Sequence, residues 1–295
     1  MRLIAAVQHI DGPLFRGSSQ ASLLIEVPHG ATLTEHFMNY RQVLKSSLPA
    51  DLIDFFYVNT DVAAPECAEE IAKAYTQIYP DRRVTIVRCH IPRTFIDCNR
   101  RLDARQDDIA AGKVTTGLPS YITSEEDKIF LRRQYQRYHL TVQREITKVC
   151  ARGGYTLFLH SYAPKTVGIT EVDSDIVNKL HWAYSKEVYE RWPLRPEVDV
   201  ICKNLEGDIL VDADWLSVMH NALTGLGYQV GSGESYPLHP VTMAHWYWSL
   251  FPKQVQCLEL RRDLLVEEFL PFEEMKPNRS KMVVLAQAIA ETIPS

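Results

Sequence analysis

Two histidines and two acids stand beside apolar runs in this 295-residue sequence: His29 in "LLIEVPHGA", Asp61 in "FFYVNTDVAAPE", His160 in "TLFLHSYAP" and Glu259 in "VQCLELRRD". Two neutral imidazoles and one carboxylate are the set a catalytic zinc prefers, with a coordination position left for water. Water held there becomes nucleophilic because the metal lowers its pKa. Each residue alone has a plainer use. His29 follows a proline and can cap a turn. Asp61 lies just ahead of a helix, where aspartate is a good N-cap, so the cap and ligand readings stand side by side. Glu66 is a rival carboxylate, although it belongs to a helix's polar face. His36, His139, His181, His220 and His245 fall in helical or loop segments without a partner pattern, and His90 and His239, nearer the same rim, read as structural. The conjunction of four residues is what suggests chemistry.

A second cluster follows an apolar run. The stretch "IPRTFIDCNRR" (91–101) holds Arg93, Asp97, Asn99, Arg100 and Arg101, interleaved with Phe95 and Ile96. Guanidinium forks bind carboxylates in bidentate fashion, and an asparagine amide adds a further donor. Asp97 can pair with an arginine and fix its direction. The cluster reads as a partly buried anion site, with a structural salt-bridge network as the alternative.

Strands and helices must bring these groups together. The strand candidates are 22–27, 54–59, 83–89, 155–160, 198–203 and 255–260, most of them near-continuous apolar or β-branched runs suited to strands covered on both faces. Helices are expected at 65–79, about 124–150, 174–191, 213–226 and 279–292. In 65–79, Cys67, Ile71, Ala74 and Ile78 share one face, and Pro65 suits the first turn. This alternation predicts an α/β fold, a mostly parallel sheet with helices on both faces. In such a sheet ligands gather outside the carboxyl ends of the strands, where His29, Asp61, His160 and Glu259 would share a rim. The polar stretch 103–123 is a candidate lid. The aromatic segment 243–251 reads as a buried helix, with an interface or pocket wall as the alternative.

Composition bounds the answer. Hydrophobic residues at 46% and charged residues at 23% are ordinary for a soluble globular protein, and 295 residues suit one continuous α/β domain. A net charge of −5 argues against a nucleic-acid partner. The six cysteines form no C-x-x-C pair, and several sit in apolar runs, which fits a reducing compartment. With neither a signal-like N-terminus nor an apolar stretch long enough for a bilayer, the expectation is a cytoplasmic protein without a membrane partner.

The blocks "VPHGA", "TDVAAPECAEEIA", "IPRTFIDCNR", "LFLHSYAP" and "LELRRDLL", in this order over about residues 22–266, resemble the N-formylglutamate amidohydrolase family. The resemblance implies a zinc-carboxypeptidase-like three-layer sandwich forming a single catalytic domain over 1–295. It further implies one zinc bound by His29, Asp61 and His160, and Glu259 as general base to the zinc-bound water and then proton donor to the leaving amine. Asn99 and Arg100 match carboxylate binders, and Arg93 and Arg261 match arginines that polarise the scissile carbonyl or hold a second acidic group. Tyr236, in "GSGESYPLHP", stands where the family has a Pro-Tyr segment lining the pocket. The expected activity is hydrolysis of a linear amide in an N-acyl, for instance N-formyl, amino acid or a related small carboxylate substrate. A carboxypeptidase-like peptidase, an aspartoacylase-like deacylase and a silent ligand-binding protein on the same fold are the alternatives. Departures are Ala63 where the family often has glycine, and Leu159 in place of an acid before the His-Ser pair.

Overall fold

A computed structural model describes residues 4–17, 21–103, 116–169 and 171–294, apart from the side chain of Ala21. Among the described residues, seven strands form one sheet in the order β1-β3-β2-β4-β7-β5-β6. They are β1 (Ala5–Asp11), β2 (Ala21–Val27), β3 (Arg83–Cys89), β4 (Tyr155–Tyr162), β5 (Val198–Val200), β6 (Val230–Ser232) and β7 (Val255–Arg261). The central four, β3-β2-β4-β7, run parallel, whereas β1 pairs antiparallel with β3 and β5 pairs antiparallel with β7. The helices are α1 (Thr34–Arg41), α2 (Leu52–Asn59), α3 (Ala64–Ile78), α4 (Glu125–Cys150), α5 (Ile176–Ala183), α6 (Lys186–Tyr189), α7 (Ala213–Gly225), α8 (Met243–Leu250) and α9 (Arg279–Thr292).

Two apolar clusters sandwich the sheet. Leu23, Ile25, Leu157, Leu159 and Leu258 face α3, α7 and α9, while Leu24, Phe158 and Cys257 face α1, α2, α4, α5 and α8. Alternation along a strand sends neighbours to opposite faces. His160 and Glu259, register partners on β4 and β7, therefore share the face of Phe158 and Cys257. The fold is the expected α/β sandwich with helices on both faces of a mixed, mostly parallel sheet.

Several elements differ from the sequence reading. The run 54–59 belongs to helix α2, not to a strand. Leu52, Phe55 and Phe56 recur at helical spacing and are its buried residues, so a short apolar run that fits either element resolves by its three- and four-residue repeat. β1, at the sheet edge, and the three-residue β6 were not anticipated, and β5 covers only Val198–Val200 of the expected 198–203. β4 continues past His160 to Tyr162. The segment 174–191 divides into α5 and α6. Segment 243–251 does form a helix, with Met243, Ala244 and Tyr247 buried, although Leu250 is half exposed. Of the candidate lid, 104–115 lies outside the described residues; Tyr121 and Ile122 beyond it are buried. Among the described residues no helix is long and apolar enough to cross a membrane.

Candidate metal centre

His29 leaves β2 in a tight turn against β3. A Cβ on the following Gly30 would meet the Cys89 carbonyl oxygen at 3.1 Å and the Arg88 side chain at 2.7 Å, so only glycine lets the turn lie this close. Asp61 is then tied to that turn: its N–H donates to His29 O at 3.2 Å, and Thr60 Oγ1 donates to Ala31 O at 2.7 Å. Asp61 does not N-cap α3. That position belongs to Ala63, whose φ of 65° is the left-handed conformation that favours glycine. His160 enters from β4, and Ser161 beside it donates its Oγ to Val62 O at 2.8 Å. Arg262, buried just after β7, clamps the same region by donating to Val58 O at 2.6 Å and Ser161 O at 3.2 Å.

These tethers converge. Asp61 Oδ2 lies 2.8 Å from His160 Nδ1 and 3.2 Å from His29 Nδ1, and all three side chains are buried. One ligand atom from each falls within 4.8 Å of the others, a set able to hold a metal ion. Burial pulls the Asp61 pKa upward, but the two imidazoles outweigh it and hold the carboxyl below its ordinary range. The outer imidazole nitrogens also have neighbours: His29 Nε2 meets Asp97 Oδ1 at 2.8 Å, and His160 Nε2 meets Asn99 Nδ2 at 3.4 Å. A carboxylate on Nε2 favours the tautomer whose Nδ1 lone pair is free for a metal. For His29 and Asp61 the donor chemistry thus fits a zinc-type ion, and His160 completes the set when its ring proton sits on Nε2 and the Asn99 amide turns its oxygen toward it.

Glu259 flanks the triad from β7. Burial pushes its pKa up to about 7; Asp61 adds to the rise, while His160, Arg195 and Arg93 oppose it. Among the described residues its buried Oε2 has no hydrogen-bond partner, and neither has Asn99 Oδ1. Most buried polar atoms in native proteins are paired, so two unpartnered oxygens beside this donor set suit a place for a ligand. Glu66 sits elsewhere, 4.0 Å from Arg88. The His90 ring lies tilted against His36, 4.8 Å between centroids, and burial lowers its pKa to about 4; the His239 ring accepts the Val241 N–H.

The arginine cluster divides by role. Arg93 Nε donates to Asp97 Oδ2 at 3.0 Å, and Arg100 lies 3.9 Å from the same carboxylate. Burial raises the Asp97 pKa, but Arg93, His29 and Arg100 together hold it well below the ordinary value. Asp97 thus links the anion cluster to a metal-ligand candidate. Arg101 turns away to Asp103 and the Trp246 ring. Arg261 is engaged by Asp263 and Glu197 and donates to the Arg195 main-chain oxygen, so it supports Arg195.

Arg195 was not anticipated. It donates to Tyr236 Oη at 2.8 Å, lies over the rings of Tyr162 and Tyr236, and is near enough to Glu259 to oppose its pKa rise. Tyr236 is held toward it by Asp199 on β5, whose carboxylate accepts the N–H groups of Gly233, Glu234 and Ser235. No sequence signal marks Arg195, which lies in a connection between elements.

A model of the N-formylglutamate amidohydrolase family matches residues 21–266. An N-formylglutamate amidohydrolase from Ralstonia eutropha JMP134 has 14% identity and a TM-score of 0.59, with 98% of each chain covered. A gene product of Agrobacterium tumefaciens has 15% identity and a TM-score of 0.58, covering 98% of this chain and 92% of that one. A metallo-carboxypeptidase from Burkholderia cenocepacia matches at 12% identity and a TM-score of 0.39, over 97% of this chain and 59% of its own. The first two structural likenesses concern the fold. No curated protein matches the sequence.

Proposed function

The chain belongs to the N-formylglutamate amidohydrolase family, and from that premise we propose that it is a zinc-dependent hydrolase of linear amides in N-acyl amino acids or related small carboxylates, N-formyl amides among them. The observation that carries this reading is the buried His29–Asp61–His160 set beside Glu259, a carboxyl with a pKa near 7 and an unpartnered oxygen. His29, Asp61 and His160 would hold the metal. A zinc ion bound there supplies Lewis acidity and brings the pKa of water toward neutrality.

The chain's own residues do the rest. Glu259 removes a proton from the attacking water and delivers it to the leaving nitrogen; a base with a pKa near the working pH performs both transfers well. Arg93 faces the carbonyl oxygen and stabilises the negative charge that grows on it. Arg100 and Asn99 receive the substrate carboxylate, Tyr236 and Arg195 close the opposite wall, and Arg261 steadies Arg195. Asp97 holds His29 and Arg93 in place. A cytoplasmic setting accords with six free, buried cysteines.

Elemental analysis of the wild type and His160→Ala side by side tests this. The expectation is about one zinc per chain in the wild type, lost in the variant together with hydrolysis of N-acyl amino acids. No metal in either protein after zinc is supplied would remove the reading.

A further inference from the structure

The proposed chemistry gives Arg262 no part, although its guanidinium is buried beside the candidate metal centre. Arg262 follows β7 at 3% exposure, and its contacts are to neutral oxygens. Nη1 donates to Val58 O at 2.6 Å, Nη2 to Ser161 O at 3.2 Å and Nε to Ser161 Oγ at 3.4 Å. A buried charge is costly unless hydrogen bonds and fixed dipoles compensate it. Val58 lies in the last turn of α2, where carbonyls lack partners within the helix and the dipole favours a cation. Burial lowers the Arg262 pKa, while Asp61, Tyr184 and Glu259 act against it, so two carboxylates of the centre lie within electrostatic reach.

The acceptors bracket Asp61. Val58 precedes it in the chain and Val62 follows it, and Val62 O accepts from Ser161 Oγ at 2.8 Å. Both sides of Asp61 are thereby tied to one residue, Ser161, the neighbour of His160 on β4. A different set of bonds ties Asp61 to His29: the Asp61 N–H and Thr60 Oγ1 both donate to His29 O, each at 3.2 Å. Within the bracket, the guanidinium is the part that reaches α2. It meets the two carbonyls with separate nitrogens of one planar fork, which a single ammonium does not reproduce.

We propose that Arg262 is a positioning residue for the metal centre, whose fork sets the spacing of Asp61 and His160. The proposal rests on the reading of His29, Asp61 and His160 as metal ligands. The adjacent Arg261 has a separate task, since its donors go to Asp263, Glu197 and the Arg195 main chain.

The test measures zinc affinity against a competing chelator, and the visible absorption bands of the cobalt(II)-loaded protein. The proteins are the wild type, Arg262→Lys, Ser161→Ala and, for comparison, Asp127→Asn at the start of α4. Arg262→Lys keeps the charge and should weaken zinc binding about tenfold, the lower end of the loss caused by removing groups that support metal ligands. Its cobalt bands should shift in position and intensity. Ser161→Ala, which removes the hydroxyl link to Val62, should move both readouts in the same direction. Asp127→Asn should lower stability and leave both readouts unchanged. A folded Arg262→Lys protein with wild-type affinity and cobalt spectrum overturns the positioning role while the metal site stands. If that variant does not fold, Ser161→Ala with both readouts unchanged overturns it. An equal loss of affinity in Asp127→Asn means a general softening of the fold and overturns it too. A wild type that binds neither metal overturns the metal reading and this role with it.

Discussion

Replacing Asp97 by asparagine removes the charge from a carboxylate that serves four partners. Oδ1 meets His29 Nε2 at 2.8 Å and accepts the Asn99 N–H at 2.8 Å, while Oδ2 accepts from Arg93 Nε at 3.0 Å with Arg100 at 3.9 Å. An asparagine keeps one acceptor for His29 and Asn99 but turns an amide N–H₂ toward the Arg93 donor. A hydrogen bond to a charged group contributes about 1.5–3 kcal/mol, and donor facing donor adds to the loss. Arg93 retains 27% of its side-chain exposure, so water offsets part of this, and the expected cost is about 2–3 kcal/mol. With an unfolding entropy of about 2.1 cal/mol/K per residue, that is a fall in Tm of about 3–5 °C for a chain of 295 residues. Metal affinity should suffer separately. A group that orients a ligating histidine is typically worth 10–100-fold in affinity, about 1.4–2.8 kcal/mol. Zinc titration against a competing chelator reads that effect, and calorimetry of the apoprotein reads the first. A folded Asp97→Asn protein that binds zinc as tightly as wild type would show that Asp97 does not support a metal-binding His29, whatever happens to Tm.

Glu259→Gln should retain its zinc by elemental analysis yet lose about 10²–10⁴-fold in kcat, the range for general acid–base catalysis. Arg195→Met should raise KM for N-acyl glutamates about tenfold or more with kcat less affected, as expected when a charge-assisted contact to substrate is removed; equal loss in both parameters for every substrate would argue against it. Asp127 offers a pH test of stability far from the site. Burial raises its pKa, but bonds from Ser46 Oγ and the N–H groups of Lys45 and Ser46 outweigh that and leave it below the ordinary value. Its stabilisation is therefore complete above the unfolded-state value near 4 and disappears as pH falls through the lower folded value. Asp127→Asn should cost about 1–2 kcal/mol at pH 7 in urea unfolding, with the gap closing as pH falls through the lowered folded-state value.

Sequence alone determined much of this protein. An apolar run that ends on a ligand-capable side chain is a local pattern, so His29, His160 and Glu259 could be placed near strand ends before any contact was known. The repeat of small and apolar residues in α3 and the Arg93–Asp97–Asn99–Arg100 spacing are local in the same sense. Tertiary structure decided the remainder. The run before Asp61 fits a strand or a helix by composition, and packing of Phe55 and Phe56 into the second apolar cluster selects the helix. Arg261, two residues from Glu259 and on its face of β7, is claimed by Asp263 and Glu197, whereas Arg195 reaches Tyr236 across 41 residues of chain. Such pairings depend on which connections pass over the sheet and how closely their side chains pack. A carboxylate such as Asp97 can be expected to find an arginine four residues away, but its contact with His29, 68 residues back, exists only once β2 and β3 lie side by side.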